Sequence, residues 1–157
     1  MNWDAIGAIG ELVAAAATLA TLLYLASQIR QNTRATRAVS FRGISDSMNH
    51  VNMAVSQQPE LADIWVRGTA DRAALTPAER HRFDMTLLSY FHVFETMHYE
   101  AHAGTGERAL VIAEGRSMEA LLATPGVRAW WADNPYAFGP EFRAEVDRLA
   151  ALASVEA

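Results

Sequence analysis

Five ligand-type side chains fall within one short stretch: His92, Glu95, His98, Glu100 and His102. Glu95-Thr-Met-His98 has the Glu-x-x-His spacing by which two helices of di-iron bundles hold their metals. At 100° per residue, Glu95, His98 and His102 share one edge of a helix, whereas His92 and Glu100 point elsewhere. The chemistry on offer is a mononuclear metal site built from Glu95, His98 and His102. A closed site wants about four ligands. No second Glu-x-x-His occurs, and His50 and His81 stand alone. The plainer reading is one histidine at the edge of a core beside two solvated groups, and no cofactor is expected.

Other chemistries lack their residues. Cysteine is absent, which removes disulfides, thiolate metal sites and a thiol nucleophile. There is no nucleophile elbow, Gly-rich phosphate loop or paired-carboxylate motif. Asp71 and Arg72 fall in an expected loop with nothing near them in sequence to complete a site. The balance favours a non-enzymatic role.

One further carboxylate stands where carboxylates are costly. Glu11 interrupts an apolar run from Ile6 to Ile29, uncharged from Leu12 to Ala26. A bilayer-crossing helix needs about 20 apolar residues. Arg30, Arg34, Arg37 and Arg42 follow at once, and Trp3 precedes. This order fits a single-pass helix over residues 1–30, with an interfacial Trp outside and the arginines on the cytoplasmic side. The same arginines are placed to meet anionic headgroups of membrane lipid. A cleaved signal peptide would begin basic, and this segment begins acidic. The competing reading is a helix hidden inside a soluble helical oligomer, since a helix apolar all round is either a span or a deep core element.

The apolar run has one distinctive face. Gly7, Gly10, Glu11, Ala14, Thr18, Thr21 and Leu25 share a sector, and Gly10, Ala14 and Thr18 repeat every fourth residue. Such small-residue ladders let two helices approach closely in lipid. A homo-oligomer or a membrane-protein partner would use this face. A narrower version is a homo-oligomeric pore lined by Gly7, Glu11, Thr18 and Thr21, with a ring of Glu11 selecting cations. Against both stands the simple case of Glu11 at headgroup depth in contact with water.

The elements that follow are all expected to be helical. No proline occurs before Pro59, so the first helix is expected to run to about Gln57, with Ile44, Met48, Val51 and Val55 at helical spacing. Pro59 restarts the chain in a short helix bearing Leu61, Ile64 and Trp65, with Gly68 as its end. Thr76-Pro77-Ala78-Glu79 reads as a capping box. It opens a helix to about Ala103 with Phe83, Leu87, Tyr90, Phe91, Phe94, Met97 and His98 inward. Gly104-Thr105-Gly106 reads as a turn. A helix from Glu107 to about Ala123 carries Leu110, Met118, Leu121 and Leu122 inward. Thr124-Pro125 opens a short helix with Val127, Trp130 and Trp131, of which one tryptophan is expected in the core and one on a partner surface. Asn134-Pro135-Tyr136 breaks it, and Gly139-Pro140 opens a last helix with Phe142, Val146, Leu149 and Leu152 inward. No period-two alternation long enough for a strand occurs. The expected fold is all-α, a long N-terminal membrane-spanning helix continuing into a small cytoplasmic helical bundle over residues 31–157.

Charge is divided unevenly. Residues 1–42 hold four arginines against Asp4 and Glu11, a balance of +2, and the remainder holds nine arginines against sixteen acids, −7. An acidic soluble part argues against nucleic acid as a partner, because phosphate contacts dominate that affinity. It also suits docking by a basic protein. All thirteen basic residues are Arg and none is Lys, a codon signature of a GC-rich bacterial genome.

The opening Met1-Asn-Trp-Asp-Ala-Ile-Gly-Ala-Ile-Gly-Glu11 and the later Tyr24-Leu-Ala-Ser-Gln-Ile-Arg-Gln-Asn-Thr33 resemble a family of small, uncharacterised bacterial proteins with one predicted N-terminal membrane helix. Gln58-Pro-Glu-Leu-Ala62, Ile64-Trp65 with Arg67-Gly68, Thr124-Pro-Gly-Val-Arg128 with Trp130-Trp131, and Pro140-Glu-Phe-Arg-Ala144 with Val146-Asp147 fit the same pattern. The resemblance spans nearly the whole chain. It implies the architecture above, in the bacterial inner membrane, and brings no catalytic residues. His92, His98 and His102 are not part of that pattern.

Overall fold

The structure is a computed structural model describing residues 2–104 and 108–153. Its described residues form six α-helices and two 3-10 turns, with no strand among them. The contacts divide the chain into two compact units, Met1–Val39 and Ser40–Ala157.

Helix α1 (Trp3–Gln57) is continuous for 55 residues. Absence of proline permits this, and the alanine run favours it. Its hydroxyls are satisfied from within. Thr18, Thr21 and Thr33 each donate to the carbonyl four residues back at 2.9 Å, and Ser47 to that of Gly43 at 2.8 Å. The first unit consists of the N-terminal part of this helix.

The second unit is a helical bundle around α3 (Pro77–His102). The expected capping box is present: Thr76 accepts from the Glu79 backbone N–H while the Glu79 carboxylate takes the Thr76 N–H at 2.9 Å. Helix α3 buries Phe83, Leu87, Tyr90, Phe91, Val93, Phe94 and Met97. Ile44 at the C-terminal part of α1 joins this core, and Met48 and Val51 pack against it. The Tyr90 hydroxyl donates to Asn52 Oδ1, tying the two helices by a polar contact as well.

Helix α2 (Pro59–Ala70) and α5 (Pro125–Asp133) flank that core. Gly68 does not end α2, which runs on to Ala70 and is capped by Asp71. The glycine is there for proximity. A Cβ on Gly68 would lie 2.6 Å from the Phe83 ring, and one on Gly126 would lie 1.7 Å from the Gly68 carbonyl oxygen. Gly68 thus leaves room for the Phe83 ring of α3, and Gly126 lets α5 meet the α2 backbone.

The Asp71–Arg72 segment is also more structured than a loop. Asp71 caps a 3-10 turn (Arg72–Ala74) by accepting from the Ala73 N–H. Arg72 grips Asp84 with two hydrogen bonds of 2.8 Å and reaches Asp133 at 2.6 Å. Residues 61 apart in sequence are joined there, a pairing that no local pattern announces.

Helix α4 (Arg108–Leu122) and α6 (Pro140–Ala153) complete the bundle. The expected turn at Thr105-Gly106, the helix start at Glu107 and the Leu110 side chain lie outside the described residues. Phe142, Val146 and Leu149 are buried as expected, but Leu152 is 53% exposed, lining a cavity beside Glu119 and Ala120 instead of packing into the core. Trp130 and Trp131 are both buried, at 1% and 5% exposure, so neither serves a partner surface. The Trp131 ring fits inside because its N–H donates to Asp147 at 2.8 Å and its face stacks on Phe91.

Candidate functional site

Two places carry the sequence-derived candidates, and they belong to different units. The first is the N-terminal part of α1. Every described side chain from Asn2 to Val39 is exposed except that of Ala26, which is half-buried. Gly7, Gly10, Glu11, Ala14, Thr18 and Thr21 lie on one helix face as the spacing requires, since the segment is unbroken α-helix. A Cβ at Gly7 or Gly10 would meet nothing within 4 Å. With their hydroxyls turned onto the helix's own carbonyls, Thr18 and Thr21 bring no unsatisfied donor to this face.

Arg30, Arg34, Arg37 and Arg42 are all exposed. By helical geometry Arg30, Arg34 and Arg37 form one stripe, and Arg42 stands about 120° away from Arg30. The stripe lies about 155° around the helix from the Gly7–Leu25 sector. The apolar stretch carries a mean hydropathy of 1.9 over its best window, with none of that window buried.

The second place is the histidine edge of α3. His98 and His102 stack with ring centroids 4.3 Å apart, and His102 Nδ1 lies 2.8 Å from the His98 carbonyl oxygen. Burial lowers the His98 pKa from its ordinary value of 6.5, and the neighbouring His102 lowers it further against the pull of Glu145, Glu141 and Glu95. The His98 Nε2 is buried and has no hydrogen-bond partner among the described residues.

Glu95 has a different occupation. Its Oε1 accepts from the Gly139 backbone N–H at 2.7 Å, and its Oε2 lies 3.5 Å from His92 Nδ1. It therefore holds the residue that opens α6. Among the described residues no three His, Asp or Glu side chains are grouped as a metal would require. His92, expected to point away, instead meets Glu95 and packs its ring 5.1 Å from Phe138.

Sequence reasoning passed over Gly115, which lines a groove beside His98. The available signal was a glycine in the middle of an otherwise strong helical stretch, Leu110 to Leu122. No protein family, no curated protein and no solved structure matches the chain.

Proposed function

We propose that this protein is a membrane-anchored helical protein, held by one pass of α1, that self-associates or binds a membrane partner through its small-residue face. The observation that carries the reading is the exposure of eleven large apolar side chains between Trp3 and Ile29, each 49–72% exposed. Burying such side chains is worth roughly 1.5–3 kcal/mol apiece, so the segment as a whole forgoes on the order of 20 kcal/mol if left in water. That exceeds the whole stability of an ordinary domain, about 5–15 kcal/mol. Something must cover it. Trp3, Ile6, Ile9, Leu12, Val13, Leu19, Leu22 and Leu23 lie all round the helix, which suits lipid better than a single protein groove.

The remaining features support the same placement. The arginine stripe stands on the far side from the small-residue ladder, so helices joined at the ladder turn their cations outward to the headgroups. Under the positive-inside bias this end is cytoplasmic, in the inner membrane of a bacterium. Close approach at Gly10, Ala14 and Thr18 gives packing without needing large side chains. A second reading rests on Glu11, which shares this face: a homo-oligomeric pore with Glu11 beside its axis. Loss of cation selectivity on Glu11→Gln in a reconstituted bilayer would favour it, and unchanged selectivity would remove it.

The test of the main reading is fractionation of the full-length protein followed by native mass in detergent. Retention through alkaline carbonate, with a discrete multiple of 17.2 kDa, is expected. Gly10→Leu with Ala14→Leu is expected to lower the oligomer by about tenfold or more in association constant. Release into the supernatant as a discrete oligomer would instead mean that copies of the chain cover α1.

A further inference from the structure

Between α3, α4 and α6 lies a groove of about 420 Å³. Small-molecule sites run from about 300 to 1,000 Å³. Its floor is apolar: Phe94 and Met97 come from α3, Met118 from α4, Phe142 and Leu149 from α6. Three observations converge on it.

His98 lines the groove with the unpartnered Nε2 described above. A buried ring nitrogen in that state lacks a hydrogen bond that it would make in water. Gly115 lines the groove from within α4, and a Cβ there would meet nothing within 4 Å. Glycine inside a helix weakens it relative to alanine, and here no neighbour demands it. What the missing side chain preserves is open space.

The third observation is charge. Arg116, Glu119, Glu145 and Arg148 stand around the groove, with Arg148 and Glu145 paired at 2.7 Å. Among the described residues, two cations and two anions leave the opening without net charge. An anionic head at His98 would face the carboxylates of Glu145, Glu141 and Glu95. A cationic head would stand among Arg116 and Arg148. The shape adds length: Arg116, Glu119 and Leu149 also line an adjoining cavity of about 480 Å³ that reaches Leu152 and Ala153.

We propose that this groove binds an uncharged, elongated apolar molecule carrying one hydroxyl or carbonyl oxygen, which meets His98 Nε2 while the chain of the ligand lies along Gly115 and Leu149. A long-chain alcohol has this chemistry. The probe is decanol bearing a photoreactive diazirine, applied to the full-length protein in lipid nanodiscs, with labelled residues located by mass spectrometry. Label should concentrate on the segments of α3, α4 and α6 that line the groove. Gly115→Leu, which extends a side chain into the space where a Cβ would meet nothing within 4 Å, should cut that label by about tenfold or more while leaving label on α1 unchanged. His98→Leu should cut it by about fivefold, since it keeps the apolar walls and removes the nitrogen. Unlabelled decanol should displace the probe at least several-fold better than decanoate or decylammonium at equal concentration. Label spread evenly over the protein, full label in both variants, or equal displacement by a charged amphiphile would overturn the proposal.

Discussion

The same substitution, glycine to alanine, is expected to act in opposite directions at two positions of the bundle. At Gly126 the added methyl would sit 1.7 Å from the Gly68 carbonyl oxygen, and 3.0 Å from that of Thr69. Ordinary contact begins near 3.4 Å, so α2 and α5 must part by well over an ångström, and backbone has no rotamer with which to yield. Overpacking costs about 1–3 kcal/mol, and a backbone-to-backbone clash belongs at the upper end. For a bundle of this size each kcal/mol moves Tm by roughly 4 °C, which puts Gly126→Ala on the order of 10 °C below the wild type. At Gly115 the methyl meets nothing within 4 Å, and only helix propensity changes. Gly115→Ala should gain about 0.5–1 kcal/mol, or roughly 2–4 °C. Tryptophan fluorescence is the suitable assay, because Trp130 and Trp131 are buried in the helix that moves and α1 would dominate a far-UV signal. A Gly126→Ala midpoint within about 2 °C of the wild type would refute the α2–α5 contact. A lowered midpoint for Gly115→Ala would refute the open space beside α4.

Other expectations concern charge and polar contacts. Arg72→Met should destabilise the bundle by about 2 kcal/mol, because it leaves the mostly buried Asp84 carboxylate without its cation, and Asp84→Asn in the same background should recover part of the loss in a double-mutant cycle. The Glu79 carboxyl is pulled down to about 2 from 4.5, first by the Arg67 guanidinium and then by Thr76. A lowered carboxylate pKa means stability that is complete above about 4.5 and fades as pH falls toward 2, so Glu79→Gln should flatten that limb of a Tm-against-pH curve. His98 titrates below 6.5 in the folded state, so the unfolded chain takes up its proton first and stability declines as pH falls through and below 6.5; His98→Gln should remove this limb, which would persist if burial of the ring were not its origin. Tyr90→Phe should cost about 1 kcal/mol in urea unfolding, the loss of its bond to Asn52, and no change would place that hydroxyl in water instead.

Much of the helical order was legible because the punctuation is local. Pro59, Pro77, Pro125 and Pro140 each open a helix, and Thr76 with Glu79 closes its capping box within four residues. The inward face of α3 was legible for the same reason, a stripe of aromatic residues at helical spacing. What escaped is what depends on a second element. Gly68 reads as a terminator until α3 arrives with the Phe83 ring against it. Arg72 reads as a loop arginine until Asp84 and Asp133 surround it. Glu95 reads as a metal ligand on its own helix, while its partner is a backbone N–H 44 residues later. Leu152 fits the apolar stripe of α6, but a stripe cannot say whether a neighbour packs onto it, and here it borders a cavity.

The bond between Tyr90 and Asn52 has a consequence in time. Asn52 is synthesised 38 residues before the tyrosine that donates to it. At about 5–20 residues per second, the C-terminal part of α1 waits on the order of 2–8 s for its partner helix to be translated. During that interval Ile44, Met48 and Val51 have no core to join. The nascent chain thus carries a temporarily sticky segment directly behind its apolar one, and both are exposed to other unfinished chains until α3 arrives.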